Sequence, residues 1–182
     1  MPSRTAHPPT LGVIVGNRDF FPDQLVTEAR SDIERLFGET GITPVWVGVD
    51  ETKLGGIETH ADARRCADLF RRRRDDIDGV LVVLPNFGDE KGVADVLKLA
   101  GLDVPVLVQA YPDDLNQLGV SRRRDGFCGK ISVCNNLVQA GIKFTLTERH
   151  VVAPLADDFR RELDQFLRVG RVVNGVRGVR LG

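Results

Sequence analysis

The sequence predicts an α/β fold with helices on both faces of a mostly parallel sheet. Three observations carry this expectation. Short apolar runs alternate with amphipathic helical stretches along the chain, the pattern of βαβ units. The run Gly79–Leu84 is apolar throughout rather than alternating, as in strands covered on both faces. Right-handed crossovers between such strands then distribute the helices over the two faces.

Leu11 to Gly16 is a β-rich run that stops at a glycine, the first expected strand. Pro22 to Phe37 follows with helical spacing: Leu25, Ala29, Ile33, Leu36 and Phe37 share a face, with Pro22 suited to the first turn and Gly38 or Gly41 to the stop. Pro44 to Val49 reads as the second strand, with Trp46 in the core, and residues 50–61 as a polar loop. Ala61 to Arg73 forms a helix with Ala63, Cys66, Ala67 and Phe70 inward. Gly79 to Leu84 is the third strand, Val93 to Leu99 the third helix and Val104 to Ala110 the fourth strand. Ile131 to Ala140 is expected to be helical, with Ile131, Cys134, Leu137 and Val138 apolar, and Lys143 to Val152 to be the fifth strand. Asp157 to Val169 closes the series, acidic in its first turn and basic in its last, as the helix dipole favours. The architecture expected is a three-layer sandwich around a mostly parallel five-stranded sheet, flavodoxin-like or Rossmann-like.

The chain has 182 residues, enough for one domain with a sizeable core. A net charge of −1 provides no global field toward nucleic acid or anionic lipid. The basic run Arg71 to Arg74 is followed at once by Asp75, Asp76 and Asp78, and reads as a solvated helix end. Cys66, Cys128 and Cys134 lack framework spacing, which fits a reducing compartment. Residues 1–10 have no apolar stretch of a signal peptide and read as a disordered lead-in. No apolar run approaches the ~20 residues of a spanning helix. A cytoplasmic protein is expected, with no nucleic-acid or membrane partner. The domain is expected over residues 11–170, and residues 171–182 read as a turn and the start of a following domain.

Ligands of open α/β sheets bind beyond the carboxyl ends of the strands, so chemistry is sought there. Strand one runs into Gly16-Asn17-Arg18-Asp19, which has neither a dinucleotide fingerprint nor a Walker loop. Arg18 can hold a hydroxyl-rich or anionic ligand by its fork of donors, or pair with Asp19 or Asp23. Strand three runs into Pro85-Asn86-Phe87-Gly88-Asp89-Glu90. There an aromatic can stack on the apolar face of a sugar while amides and carboxylates take its hydroxyls. Asp89 and Glu90 can equally be an N-cap and first-turn acid. A second cluster, Asp125 to Asn136, has glycines that admit backbone amides to a ligand, with Cys128, Lys130, Ser132 and Asn135 as polar groups near a helix start. A receiver domain would need an aspartate where this chain has Pro85-Asn86. His7, His60 and His150 are scattered, so no Cys–His pair or metal site is indicated.

Four motifs together resemble the N-terminal region of the L-fucose/L-arabinose isomerase family: Gly-Val-Ile-Val-Gly-Asn-Arg-Asp at 12–19, Leu-Pro-Asn-Phe-Gly-Asp-Glu-Lys at 84–91, Val-Pro-Val-Leu-Val-Gln-Ala at 104–110, and the 125–136 cluster. The resemblance implies aldose–ketose isomerisation through an ene-diol, with a divalent metal, typically manganese. It places the Glu, Asp and His ligands of that metal beyond residue 182, so this chain would not bind it. It implies a flavodoxin-like domain that packs in a homo-oligomer and lends substrate contacts to a neighbouring subunit's active site. Arg18 and Phe87 match the arginine after strand one and the aromatic after strand three, where a tryptophan is often found. The expected substrate-binding residues are therefore Asn17, Arg18, Asn86, Phe87, Asp89, Glu90, Cys128, Lys130, Ser132 and Asn135, with none catalytic. The isolated chain is expected to be inactive. The alternative is a stand-alone sugar-responsive binding module.

Overall fold

The computed structural model describes residues 8–177. They alternate as β1 (Thr10–Val15), α1 (Gln24–Thr40), β2 (Thr43–Val45), α2 (His60–Arg72), β3 (Gly79–Leu84), α3 (Glu90–Ala100), β4 (Val106–Ala110), α4 (Gly126–Gln139), β5 (Thr145–Leu146) and α5 (Asp157–Arg177). The strands form one all-parallel sheet in the order β2-β1-β3-β4-β5. This is the flavodoxin-like order of a doubly wound sheet, and the expected α/β three-layer architecture is present.

Every residue of β1, β3 and β4 is buried, and successive side chains enter opposite layers. Ile14, Val80, Val82, Leu84, Val106 and Val108 meet Ala63, Cys66 and Phe70 of α2, Val93 and Val96 of α3, and Val133 and Leu137 of α4. Leu11, Val13, Val15, Leu81, Val83 and Leu107 meet Val26, Ala29, Ile33 and Leu36 of α1 and Phe159, Leu163 and Phe166 of α5. At ~1.5–3 kcal/mol for each large apolar side chain removed from water, these two layers supply most of the driving force for folding. Among the described residues no helix is long and apolar enough to cross a membrane.

The edge strands are shorter than the sequence suggests. β2 ends at Val45 because the carboxyl half of β1 takes a different neighbour: Gly16 bridges to Ile57, with Asn17 N donating to Ile57 O at 3.1 Å. Trp46 is partly buried at the margin of the core, its ring 4.0 Å from the Arg30 guanidinium. β5 is two exposed residues. After it the chain turns, held by the Thr147 hydroxyl donating to Arg149 O at 2.6 Å.

Several helices are longer than expected; α3 begins at Glu90, three residues before Val93. α4 begins at Gly126, five residues before Ile131, so Gly126 and Gly129 lie in a helix and not in an open loop. Its inward residues are Gly126, Gly129, Lys130, Val133 and Leu137, whereas Ile131 and Val138 are exposed. α5 continues through Arg177, where a turn and a strand were expected from Arg171. No proline interrupts it, and Gly170 and Gly175 weaken a helix by only about 1 kcal/mol each without ending it. At the other end, Thr10 already belongs to β1, and Pro9 O accepts from Thr43 N at 2.9 Å. Most of the expected lead-in, residues 1–7, and the last five residues, 178–182, lie outside the described residues.

Candidate functional site

The strand order reverses between β1 and β3, so their carboxyl ends diverge into loops on either side of a crevice. Asn17 and Arg18 leave β1 there; Asn86, Phe87 and Gly88 leave β3. The two asparagines face inward and are 1% and 0% exposed. Asn86 Nδ2 donates to Asn17 Oδ1 at 2.5 Å, and Asn86 Oδ1 accepts from Gly88 N at 2.9 Å. Asn17 Nδ2 in turn donates to Glu58 Oε1. The Asn86 amide thereby stabilises Gly88 in the left-handed region at φ +72°, a conformation glycine adopts without steric cost.

Arg18 crosses from the β1 loop to the β3 loop. Its Nε donates to Gly88 O at 3.1 Å, its Nη2 pairs with Glu90, and its guanidinium lies 4.5 Å from the Phe87 ring centroid. The ion pair is therefore to Glu90, neither to Asp19 nor to Asp23. Both side chains keep about a quarter of their surface in water, 29% and 25%. Phe87 is half-buried. Asp89 is the N-cap of α3, its Oδ1 accepting from Gly92 N, and Glu90 opens the first turn.

The second loop set is joined to the first through the backbone. An added Cβ at Gly129 would collide with the Phe87 carbonyl, and one at Gly126 with the Tyr111 carbonyl. These glycines serve close approach of α4 to the strand ends, and the Gly129 amide donates to Asp125 O at 3.0 Å. Arg124, just before α4, donates to Pro85 O at 2.9 Å and to Glu28 Oε2 at 2.8 Å, with its guanidinium 4.7 Å from the Tyr111 ring. Glu28 also accepts from Arg122 at 2.9 Å. Burial pushes the Glu28 carboxyl up, but bonds from Gln24 and Arg122 and the charge of Arg124 outweigh it and hold it below the usual range. The β3 loop thus has Pro85 O held by Arg124 and Gly88 O held by Arg18.

The remaining expected residues do not join this corner. Lys130 is buried at 3% exposure, and its Nζ donates to Thr147 Oγ1. Burial lowers its ammonium from the ordinary 10.5 to about 8, against the raising influence of Cys134 and Glu162. Cys128 and Asn135 are exposed on α4 and Ser132 is half-buried, its carbonyl accepting from Asn136 Nδ2 at 3.0 Å. Cys66 lies in the core, as expected, and burial pushes its thiol up to about 12. Among the described residues no group of three or more His, Cys, Asp or Glu side chains is arranged to hold a metal ion.

Sequence reasoning did not find Glu58 or Lys53. They sit in a polar loop without a motif, and partners 41 residues apart give no local signal. Arg124 directly precedes the Asp125–Asn136 cluster, but its contact with Glu28 spans 96 residues.

A doubly wound, all-parallel sheet with polar and aromatic groups converging at its switch point defines the class: an α/β domain of flavodoxin-like architecture. The chain belongs to the family of fucose/sulfoquinovose isomerase N-terminal domains, whose family model matches residues 12–177. No curated protein matches the chain significantly. Among solved structures it is similar to the flavoenzyme FerB, an NAD(P)H:(acceptor) oxidoreductase from Paracoccus denitrificans. The identity is 15%, over 91% of this chain and 94% of that one, at a TM-score of 0.45. A likeness of that size bears on neither ligand nor chemistry.

Proposed function

We propose that this chain is the substrate-recognition and assembly domain of a divalent-metal-dependent aldose–ketose isomerase. The observation that carries the reading is the half-exposed Arg18–Phe87–Glu90 corner at the strand-order reversal, in a chain of this family. Arg18 has more N–H donors than its bonds to Gly88 and Glu90 use, and these suit sugar hydroxyls or an anionic substituent. One face of Phe87 carries the guanidinium, so a sugar ring would meet its edge or other face. The buried Asn17 and Asn86 hold the corner without touching substrate, and Lys130 holds the loop after β5.

Assembly is supported by apolar side chains exposed around the same edge. Phe20 follows β1, Leu115, Leu118 and Val120 lie between β4 and α4, and Phe127 and Ile131 are on the first turns of α4. In such an assembly this edge would face the metal and acid–base groups of another domain or subunit. The isolated chain would then bind sugar weakly and not turn it over.

The test is proton exchange at the sugar carbon next to the carbonyl. The complete protein carrying this domain, supplied with manganese, is expected to incorporate solvent deuterium into a fucose-like or sulfonated aldose as the ketose forms. Residues 1–182 alone are expected to give none. Isomerisation by residues 1–182 alone at a rate comparable with the complete protein would sink the reading.

A further inference from the structure

We propose that Glu58 is a positioning residue for the Arg18–Phe87 corner, acting through a buried chain of amides. The Glu58 carboxylate, 10% exposed, accepts from Asn17 Nδ2. Asn17 Oδ1 accepts from Asn86 Nδ2 at 2.5 Å, Asn86 Oδ1 accepts from Gly88 N at 2.9 Å, and Gly88 O accepts from Arg18 Nε at 3.1 Å. Each asparagine spends both its amide nitrogen and its oxygen inside this chain. With that direction of donors, only an acceptor can close the far end, and Glu58 is that acceptor.

The segment that carries Glu58 is itself fixed. Ile57 N donates to Val15 O at 2.8 Å, so residues 56–58 run beside the end of β1 where β2 has stopped. Lys53 balances the charge from the outer side: its Nζ lies 2.7 Å from Asp23 and 3.8 Å from Glu58. Glu58 is thus held on the strand side by an amide and on the solvent side by an ammonium. Removing the acceptor leaves a buried Asn17 N–H unpaired, a cost the core avoids only by turning that amide. Turning Asn17 reverses donor and acceptor along the whole chain and releases Gly88.

The link to substrate rests on the reading above, but the structural half can be measured without any sugar. The experiment is hydrogen exchange at the Gly88 amide in this chain for Glu58→Ala, Glu58→Asp and Glu58→Gln, with KM and kcat measured in the complete protein. Glu58→Gln keeps an acceptor at the same length and is expected to leave exchange and KM near the native values. Glu58→Asp keeps the charge, but its carboxylate is one methylene short of Asn17. It and Glu58→Ala are expected to speed Gly88 exchange about tenfold, the equilibrium equivalent of one lost hydrogen bond. KM should rise by a similar factor with kcat little changed. Should Glu58→Ala not fold, the Asp and Gln variants decide the matter by themselves. Native exchange at Gly88 in a folded Asp variant would overturn the proposal. Faster exchange with unchanged KM would uphold the positioning role and count against the sugar-facing reading instead.

Discussion

Each direct contact that shapes the Arg18–Phe87 corner is modest on its own. A partly exposed cation–π pair contributes about 0.5–1 kcal/mol, and an ion pair with a quarter of each side chain in water contributes about as little. The corner therefore depends on the buried amides behind it, where an unpaired group costs about 1–3 kcal/mol. Lys130 shows the opposite balance. Its buried ammonium has one neutral partner, and its pKa of about 8 lies below the ordinary 10.5. Between those values the unfolded chain holds the extra proton, so this group's contribution to stability rises with pH and is least favourable below about 8. Lys130→Met is accordingly expected to stabilise the protein at pH 7 by a few kcal/mol at most. Paired denaturant titrations should show that advantage shrinking between pH 8 and 10.5, the interval of the shift. An advantage independent of pH would contradict this account of Lys130.

At the scale of elements, the glycines of α4 and α1 make opposite predictions. Gly129 abuts the Phe87 carbonyl, so Gly129→Ala must part α4 from the β3 loop. Its expected cost is about 2 kcal/mol or more. Gly38, in α1, has nothing within 4 Å of an added Cβ, and Gly38→Ala is expected to stabilise by about 0.5–1 kcal/mol. Thermal unfolding of the two variants checks both signs. The same contrast explains what the sequence made legible. β3 is a continuous apolar run, and β1 and β4 are nearly so, Thr10 and Gln109 apart, because both faces are covered, and a run of that kind has few other readings. The edge strands β2 and β5 have three and two residues and depend on neighbours far along the chain. Gly126 and Gly129 looked like loop glycines because a helix glycine chosen for close approach has no local signature. Arg18 and Phe87 could be placed at the ends of β1 and β3 because strand ends are predictable. Glu58 was missed because its role is defined only by a partner 41 residues away, in the loop after β1.

At the scale of the molecule, the exposed apolar residues at the carboxyl edge bear on assembly. A double change, Leu115→Asp with Val120→Asp, alters two highly exposed side chains. It should change the stability of this chain by no more than about 0.5 kcal/mol per site. In sedimentation of the complete protein it is expected to yield a smaller species, and an unchanged oligomer would remove this loop from the interface. The fold serves the site in one further way. The sheet brings β1 and β3 together at the reversal of strand order, and α4 closes on the β3 loop, so three distant segments meet at one edge. The central claim is that this edge recognises the sugar of an isomerase. Steady-state kinetics of the complete protein with Arg18→Ala and Phe87→Ala test it most directly. The expected result is a KM raised about tenfold or more for the aldose, with kcat and the melting temperature little changed. Native KM in both folded variants would contradict it.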